Sequence, residues 1–273
     1  MVGQPVSDST AVTSSGTKPT LRQYTAWLVR KELVTNLDVH KNHYDAATRA
    51  IKDKYSTSDF WRSILGGLKD VDAQYLIDFK YPLIAQYTPE LLIKPWDSFL
   101  QKTYRKNVLN NENFPEPPAE GWLTPTNWYT KIHDTIRTTI IVKYLDGVPL
   151  LVEYLRQKSA QYEMQFEGSL EARVDGYYGA QCICSAVCEI PALDWTIVQT
   201  RIPLEIQVTT SIKDVIKRLL HSYYDTRRIG SEPRSQIELS WNYKSDEFIA
   251  AYLGHILHYV EGMILDVRDR KRG

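Results

Sequence analysis

Asp134 stands just ahead of the β-branched run "IRTTIIVKY", and Glu205 sits within "LEIQV", where apolar and polar residues alternate. That alternation puts Leu204, Ile206 and Val208 on one face and Glu205, Gln207 and Thr209 on the other. A polar face of Glu, Gln and Thr, joined by a carboxylate from a neighbouring strand, is a floor for a divalent cation. Hard oxygen ligands suit Mg2+, which keeps waters and takes substrate phosphates. The same residues also read as solvated carboxylates. A second cluster is "KPWDSFLQKTYRKN". If it is helical from Pro95, Ser98 and Lys102 lie one turn apart, Arg105 and Lys106 a turn further, and Lys94 at the positive end. Such a face holds polyphosphate through point charges and the helix N-terminus, or is an ordinary basic amphipathic helix. A third stretch, "RVDGYYGAQC", brackets two tyrosines with glycines ahead of a strand. It is either a turn whose tyrosines pack or a loop that offers an aromatic face to something flat. The three cysteines, Cys182, Cys184 and Cys188, are an odd, clustered set without zinc spacing and read as buried free thiols in a reducing compartment.

The elements that must position these residues follow from periodicity. Met1 to Pro19 is rich in Ser, Thr, Gly and Pro and reads as a disordered tail. Thr20 and Gln23 make a capping box that opens a helix on Leu21, Tyr24, Trp27 and Leu28. A second helix carries His40, Tyr44, Ala47, Ile51 and Tyr55. A third, capped by Ser58 or Asp59, is expected to end at Gly66–Gly67, with more helix over Val71–Phe79. After the proline-rich loop Asn113–Asn127, strands are expected at Ile136–Tyr144, Tyr162–Phe166, Tyr178–Ile190 and Ile202–Thr210. Helices are expected at Val148–Lys158 and Ser211–Tyr224. The most regular pattern is C-terminal: Phe248, Ile249, Tyr252, Leu253, Ile256, Tyr259, Val260, Met263, Ile264 and Val267 form one apolar helical face. The result is an α+β protein, a mixed sheet of four or five strands with helical additions at both ends. One domain over residues 20–273 is expected: a helical part to 90, a catalytic core over 91–225 and a long helix over 245–270. The 273 residues carry 33 basic and 33 acidic side chains, which argues against a surface built for long nucleic-acid tracts. No run reads as long and apolar enough to span a membrane, and no signal-peptide pattern opens the chain, so a cytoplasmic protein is expected.

Taken in order, the clusters resemble the synthetase domain of RelA/SpoT-type alarmone enzymes. Lys94, Ser98 and Lys102 match that family's Lys-x3-Ser-x3-Lys element for ATP. "DTIR", Asp134 to Arg137, matches its Asp-x-x-Arg entering a strand. "GYYGAQ", Gly176 to Gln181, matches the first half of its Gly-Tyr-x-x-x-His loop, and "EIQV", Glu205 to Val208, its Glu-Ile-Gln element. "LLHSYYD", Leu219 to Asp225, matches the helix with His and Tyr that follows. "KPWDSFLQKTYRKNVLNN", "NWYTKIHDTIRTTIIVKYLDGV" and "YLGHILHYVEGMILDVRDR" look like its small, single-domain toxic members. No His-Asp hydrolase motif and no long regulatory region are found beside them.

The resemblance implies transfer of the β,γ-pyrophosphate of ATP to a ribose 3′-hydroxyl. Asp134 and Glu205 would hold Mg2+, Glu205 serving as second ligand or as base. Lys94, Lys102 and Arg137 would hold ATP phosphates with Ser98; Arg105 and Lys143 are further ATP or acceptor contacts. Tyr177 would stack on the acceptor base, freed by Gly176 acting as a hinge, with Gln207, His221 and Gln181 also at the acceptor and Tyr178 structural. Two residues depart from the pattern: Leu92 replaces a usual Arg that covers adenine, and Gln181 replaces a usual His. The subgroup likeness makes the tRNA 3′-CCA end the first expected acceptor, with aminoacylation and translation blocked and an antitoxin protein as partner. Arg22, Arg30, Lys31, Arg227, Arg228 and Arg234 would then contact the acceptor stem. The alternatives are synthesis of (p)ppGpp or (p)ppApp from GDP, GTP or adenine nucleotides, and a degenerate nucleotide-binding module.

Overall fold

The computed structural model describes residues 17–228 and 242–271; the side chains of residues 220–228, 246 and 247 lie outside that description, as does most of the expected tail. Of the tail's last residues, Lys18 is tied down, its Nζ donating to the carbonyls of Leu109 and Asn111. Three helices come first: α1 (Leu21–Arg30), α2 (Leu37–Ser56) and α3 (Asp59–Phe79). The capping box at α1 forms, with the Thr20 N–H donating to Gln23 Oε1 at 3.0 Å. Ser58 caps α3 by accepting from the Trp61 N–H.

Gly66 and Gly67 do not end α3, which runs on to Phe79. A Cβ at Gly67 would collide with the Tyr154 hydroxyl, and that hydroxyl donates to the carbonyls of Ser63 and Ile64. The glycine serves close approach of another helix rather than termination.

The sheet has five strands: β1 (Leu92–Ile93), β2 (Ile136–Val142), β3 (Gln165–Ala172), β4 (Tyr178–Pro191) and β5 (Ile197–Thr210), in the order β1-β2-β5-β4-β3. β2 and β5 are parallel; the other pairs are antiparallel. β3 lies later than "YEMQF", because Glu163 takes a left-handed turn (φ 53°) and the ladder begins only at Gln165. β5 starts five residues before Ile202, its exposed end held only by the hairpin with β4. Helix α4 (Trp96–Tyr104) continues into a π-helical turn (Arg105–Leu109). A short α5 (Trp128–Lys131) precedes β2, α6 (Gly147–Gln161) follows it, and α7 (Ser211–Arg228) leaves β5 directly.

One sheet face is apolar. Ile136, Ile140, Ala180, Cys182, Cys184, Leu204, Ile206 and Val208 join α2, α3 and α6 in the main core. All three cysteines are free and buried, and burial pushes the Cys182 thiol up to about 12 and the Cys184 thiol to about 11. Tyr24, Trp27, Leu28, Val34 and Val108 form a satellite core between α1 and the π-helical turn.

The last helix, α8 (Asp246–Arg270), turns most of its apolar face outward. Ala250, Ala251, Glu261 and Arg268 are buried, whereas Ile249, Tyr252, Ile256, Tyr259, Met263, Ile264 and Val267 are exposed. Lys213 pairs with Glu261 at 2.9 Å, and Arg268 pairs with Asp146 at 2.9 Å. The sequence reading of no membrane-length segment also needs correction: Phe248–Arg270 is long and apolar enough by length and composition.

Candidate active site

The polar face of the sheet is set by register. Arg137 pairs with Glu205 and Thr139 with Gln207 across the parallel strands, and Gln181 on β4 pairs with Gln207 from the other side. Their side chains therefore share the face opposite the core. Glu205 is 3% exposed. Gln181 Nε2 donates to its Oε2 at 2.8 Å, and Gln207 Nε2 donates to its Oε1 at 2.5 Å. Lys217 on α7 donates to Gln207 Oε1 at 2.7 Å, which fixes which end of that amide faces the carboxylate. Gln181, the departure from the family's His, thus becomes a direct partner of Glu205.

Asp134 lies two residues before β2, where β1 and α4 converge. Lys94 Nζ reaches its Oδ2 and Lys102 Nζ its Oδ1, each at 2.7 Å. Burial alone would raise this carboxyl, but the two ammoniums outweigh it and hold it at about 2. The Lys94 pKa is lowered by its own burial, with Asp134 opposing that shift. Lys94 is also fixed through its backbone, its carbonyl accepting from the Tyr44 hydroxyl at 2.6 Å. Ser98 stands on α4 between the two lysines and is half-buried.

Between the sheet face, α7 and α8 opens a cleft of about 610 Å3. Its lining includes Arg137, Tyr177, Gln181 and Gln207 from the sequence-predicted set, and Leu92, which stands where an Arg was expected; Lys94, Ser98, Lys102, Asp134 and Glu205 are not in that lining. Tyr177 is half-buried, with the Arg173 guanidinium 4.9 Å over its ring and its hydroxyl pushed up to about 12 by burial, nearby Glu171 adding to the effect. Gly176 is no hinge. It has φ +80°, and a Cβ there would collide with the Ala251 carbonyl, as one at Gly254 would with the Gly176 carbonyl. The turn that carries Tyr177 is seated against α8 by this glycine–glycine contact. Tyr178 is structural, as expected: its hydroxyl bonds His255 Nδ1 at 2.8 Å and its ring stacks on His258 at 3.7 Å.

Not every expected residue arrives. Arg105 lies in the π-helical turn and Lys143 is exposed past the far end of β2; neither lines the cleft. The side chains of His221, Arg227 and Arg228 lie outside the described residues, as does Arg234. Arg22, Arg30 and Lys31 are exposed on or just after α1, away from the cleft lining. Conversely, Arg173, Lys213, Lys217 and Arg218 line the cleft and were not anticipated. Lys213 and Lys217 are four apart on a helix that begins where the site strand ends, but that spacing alone does not tell a cleft-facing Lys from one in open water.

Magnesium fits part of this donor set. Asp134 offers hard oxygens that two ammoniums already neutralise, as a divalent cation would. Glu205 is a carboxylate whose two oxygens already accept from Gln181 and Gln207. Among the described residues no group of three or more His, Cys, Asp or Glu is placed to hold a metal, so substrate oxygens or water must complete the shell.

No protein-family model matches the chain, and no curated protein sequence matches it. Solved structures do. A GTP pyrophosphokinase family protein from Streptococcus pneumoniae superposes with a TM-score of 0.51 at 17% identity, over 86% of this chain and 97% of that one. Small alarmone synthetase 1 from Bacillus subtilis, bound to its product pppGpp, gives a TM-score of 0.49 at 14% identity, over 92% and 100%. The likeness to the S. pneumoniae protein shows the fold: an α+β architecture with a five-stranded mixed sheet and flanking helices.

Proposed function

We propose that the chain is a pyrophosphokinase that transfers the β,γ-pyrophosphate of ATP to the ribose 3′-hydroxyl of a free purine nucleotide, as an alarmone synthetase does. The observation that carries this reading is the parallel register that sets Arg137, which lines the Tyr177 cleft, beside Glu205, with Asp134 and its two lysines just ahead of the same strand. The pyrophosphokinase name of the S. pneumoniae neighbour supports the same choice of reaction.

In this reading Lys94, Lys102, Arg137 and Ser98 bind and orient the ATP phosphates. Tyr177 stacks on the acceptor base, a contact worth about 1–3 kcal/mol. Glu205, aimed by Gln181 and Gln207, takes the proton of the 3′-hydroxyl. The 3′-oxygen bonds to the β-phosphorus, the bond from that phosphorus to the α,β-bridging oxygen breaks, and AMP leaves with the bridging oxygen. Asp134 would hold Mg2+, with Glu205 able to join it, and the ion would supply charge to the transferring group. The protein's part is positioning and electrostatics.

A second reading keeps the donor and changes the acceptor to the 3′-terminal adenosine of tRNA. It is favoured by the likeness of three stretches, around Lys94, Asp134 and Leu253, to the toxic subgroup. A neutralising antitoxin belongs to this reading alone. Incubation with γ-labelled ATP and either GDP, GTP, adenine nucleotides or bulk tRNA tests both. Label on a free nucleotide and none on tRNA is the expected result; label on tRNA alone would reverse the order of the two readings. Glu205→Gln should lower transfer by about 10²–10⁴-fold while ATP still binds. A Glu205→Gln protein with undiminished transfer would move the base elsewhere, and an unaltered protein that binds ATP but labels no acceptor would leave only the nucleotide-binding module.

A further inference from the structure

Two histidines of α8, His255 and His258, hold the turn that carries Tyr177, and the proposed reaction uses neither. His255 Nε2 lies 3.0 Å from the Val174 carbonyl, and its Nδ1 lies 2.8 Å from the Tyr178 hydroxyl. A carbonyl only accepts, so Nε2 carries the proton and Nδ1 accepts from the tyrosine. His258 stacks on the Tyr178 ring, with centroids 3.7 Å apart and planes within 2° of parallel. Its Nδ1 lies 3.1 Å from Lys213 Nζ. An ammonium only donates, so this Nδ1 bears a lone pair and His258 is neutral. Lys213 is itself fixed: it is buried, pairs with buried Glu261 at 2.9 Å, and stands 5.0 Å from the centre of the Tyr178 ring. Strand β4, α7 and α8 thus meet at one imidazole.

We propose that His258 is a positioning residue and a proton-sensitive clasp: its neutral ring holds the turn over residues 173–178 to α8, and protonation releases the turn and weakens acceptor binding at Tyr177. The proposal rests on the reading that Tyr177 contacts the acceptor. A proton on His258 Nδ1 sets two cationic donors face to face where a hydrogen bond stood. Either the imidazolium leaves the Tyr178 ring or Lys213 is driven from its place in the cleft wall. Protonation of His255 has no such effect, because the Tyr178 oxygen can accept from a protonated Nδ1.

The groups that face His258 are Lys213 from α7, Tyr178 from β4, and Glu261 and His255 from its own helix. Burial, Lys213 and His255 hold its pKa below the ordinary 6.5, against the opposing Glu261 carboxylate. A lowered folded pKa keeps the ring neutral at and above the ordinary value. The clasp is then lost as pH falls from 6.5 through the folded value. Lys94, Lys102 and Asp134 lie outside the cleft lining, so ATP binding should not follow the same titration.

Imidazole and amide NMR of the full chain, with kinetics on GDP as acceptor, test the proposal from about pH 8 to about pH 5.5. His258 should titrate below 6.5, and the amides of the turn should shift with the same midpoint. KM for GDP should rise about tenfold towards the acid end, with KM for ATP nearly flat. His258→Asn, whose amide oxygen can take the bond from Lys213, should flatten that rise. His258→Phe, which can stack but cannot accept, should raise KM for GDP at every pH. Turn amides that ignore the His258 titration overturn the proposal and leave the proposed reaction untouched. A GDP KM that rises equally in His258→Asn also overturns it, since another group then titrates. Turn amides that follow His258 while KM for GDP stays flat remove Tyr177 from the acceptor, and the effect proposed on acceptor binding falls with it.

Discussion

At the scale of single residues, the informative feature is that Asp134 is already occupied. Lys94 and Lys102 each hold one of its oxygens at 2.7 Å, and neither ammonium can serve that carboxylate and a phosphate fully at once. A polyphosphate that draws the lysines away uncovers the carboxylate, so nucleotide and divalent cation should bind cooperatively. Calorimetry with Mn2+ should show weak binding alone and binding about tenfold tighter with a non-hydrolysable ATP analogue, within the usual range of coupling between sites. Lys102→Met should move the two ligands in opposite directions: tighter cation binding without nucleotide, weaker nucleotide binding. Cation affinity unchanged by that substitution would sink the idea. The carboxylates themselves were legible in the sequence, because alternation in "LEIQV" separates Glu205 from the core face. Lys213 and Lys217 were not, since a Lys on an amphipathic helix reads the same whether it faces a cleft or open water.

Among elements, the β3–β4 turn and α8 depend on each other through the Gly176–Gly254 contact. Gly254→Ala should cost about 1–3 kcal/mol through overpacking and shift the turn. Its functional mark should be a raised KM for the acceptor with ATP binding spared. Tyr177→Ala should give the same split without the loss of stability, and Tyr177→Phe should be mild. Equal losses in acceptor and ATP binding would place Tyr177 elsewhere. Local pattern could foresee the strands and the turn but not their seat, because Gly176 and Gly254 are far apart in the chain. The same limit explains α3: a Gly-Gly pair looks like a helix end until Tyr154 is seen packed against it.

For the molecule as a whole, acid stability should report on the buried cluster. The Asp134 carboxyl sits at about 2 when folded, below its ordinary 3.8. A depressed pKa contributes stability that is complete above the ordinary value and is lost as pH falls toward the folded one. The window is therefore between about pH 4 and pH 2, and the amount about 2 kcal/mol. Urea midpoints should drop across that window, and Asp134→Asn should flatten the drop while lowering stability at pH 7. An unchanged slope in Asp134→Asn would assign the acid loss to other carboxylates. The fold class and four of the five strands were readable because each of those strands carries its own period; β1, two residues long, carries none. The direction in which α8 faces was not, because its apolar row is as regular as one that faces a core.

During synthesis, β2 leaves the ribosome more than fifty residues ahead of β5, its parallel partner, with α6, β3 and β4 made between them. Arg137 therefore has no Glu205 beside it until β5 has emerged, and Tyr177 has no seat until Gly254 follows. A nascent or prematurely ended chain carries the lysine cluster without Glu205. For the proposed transfer from ATP, the site is complete only once β5 and α8 have both been made.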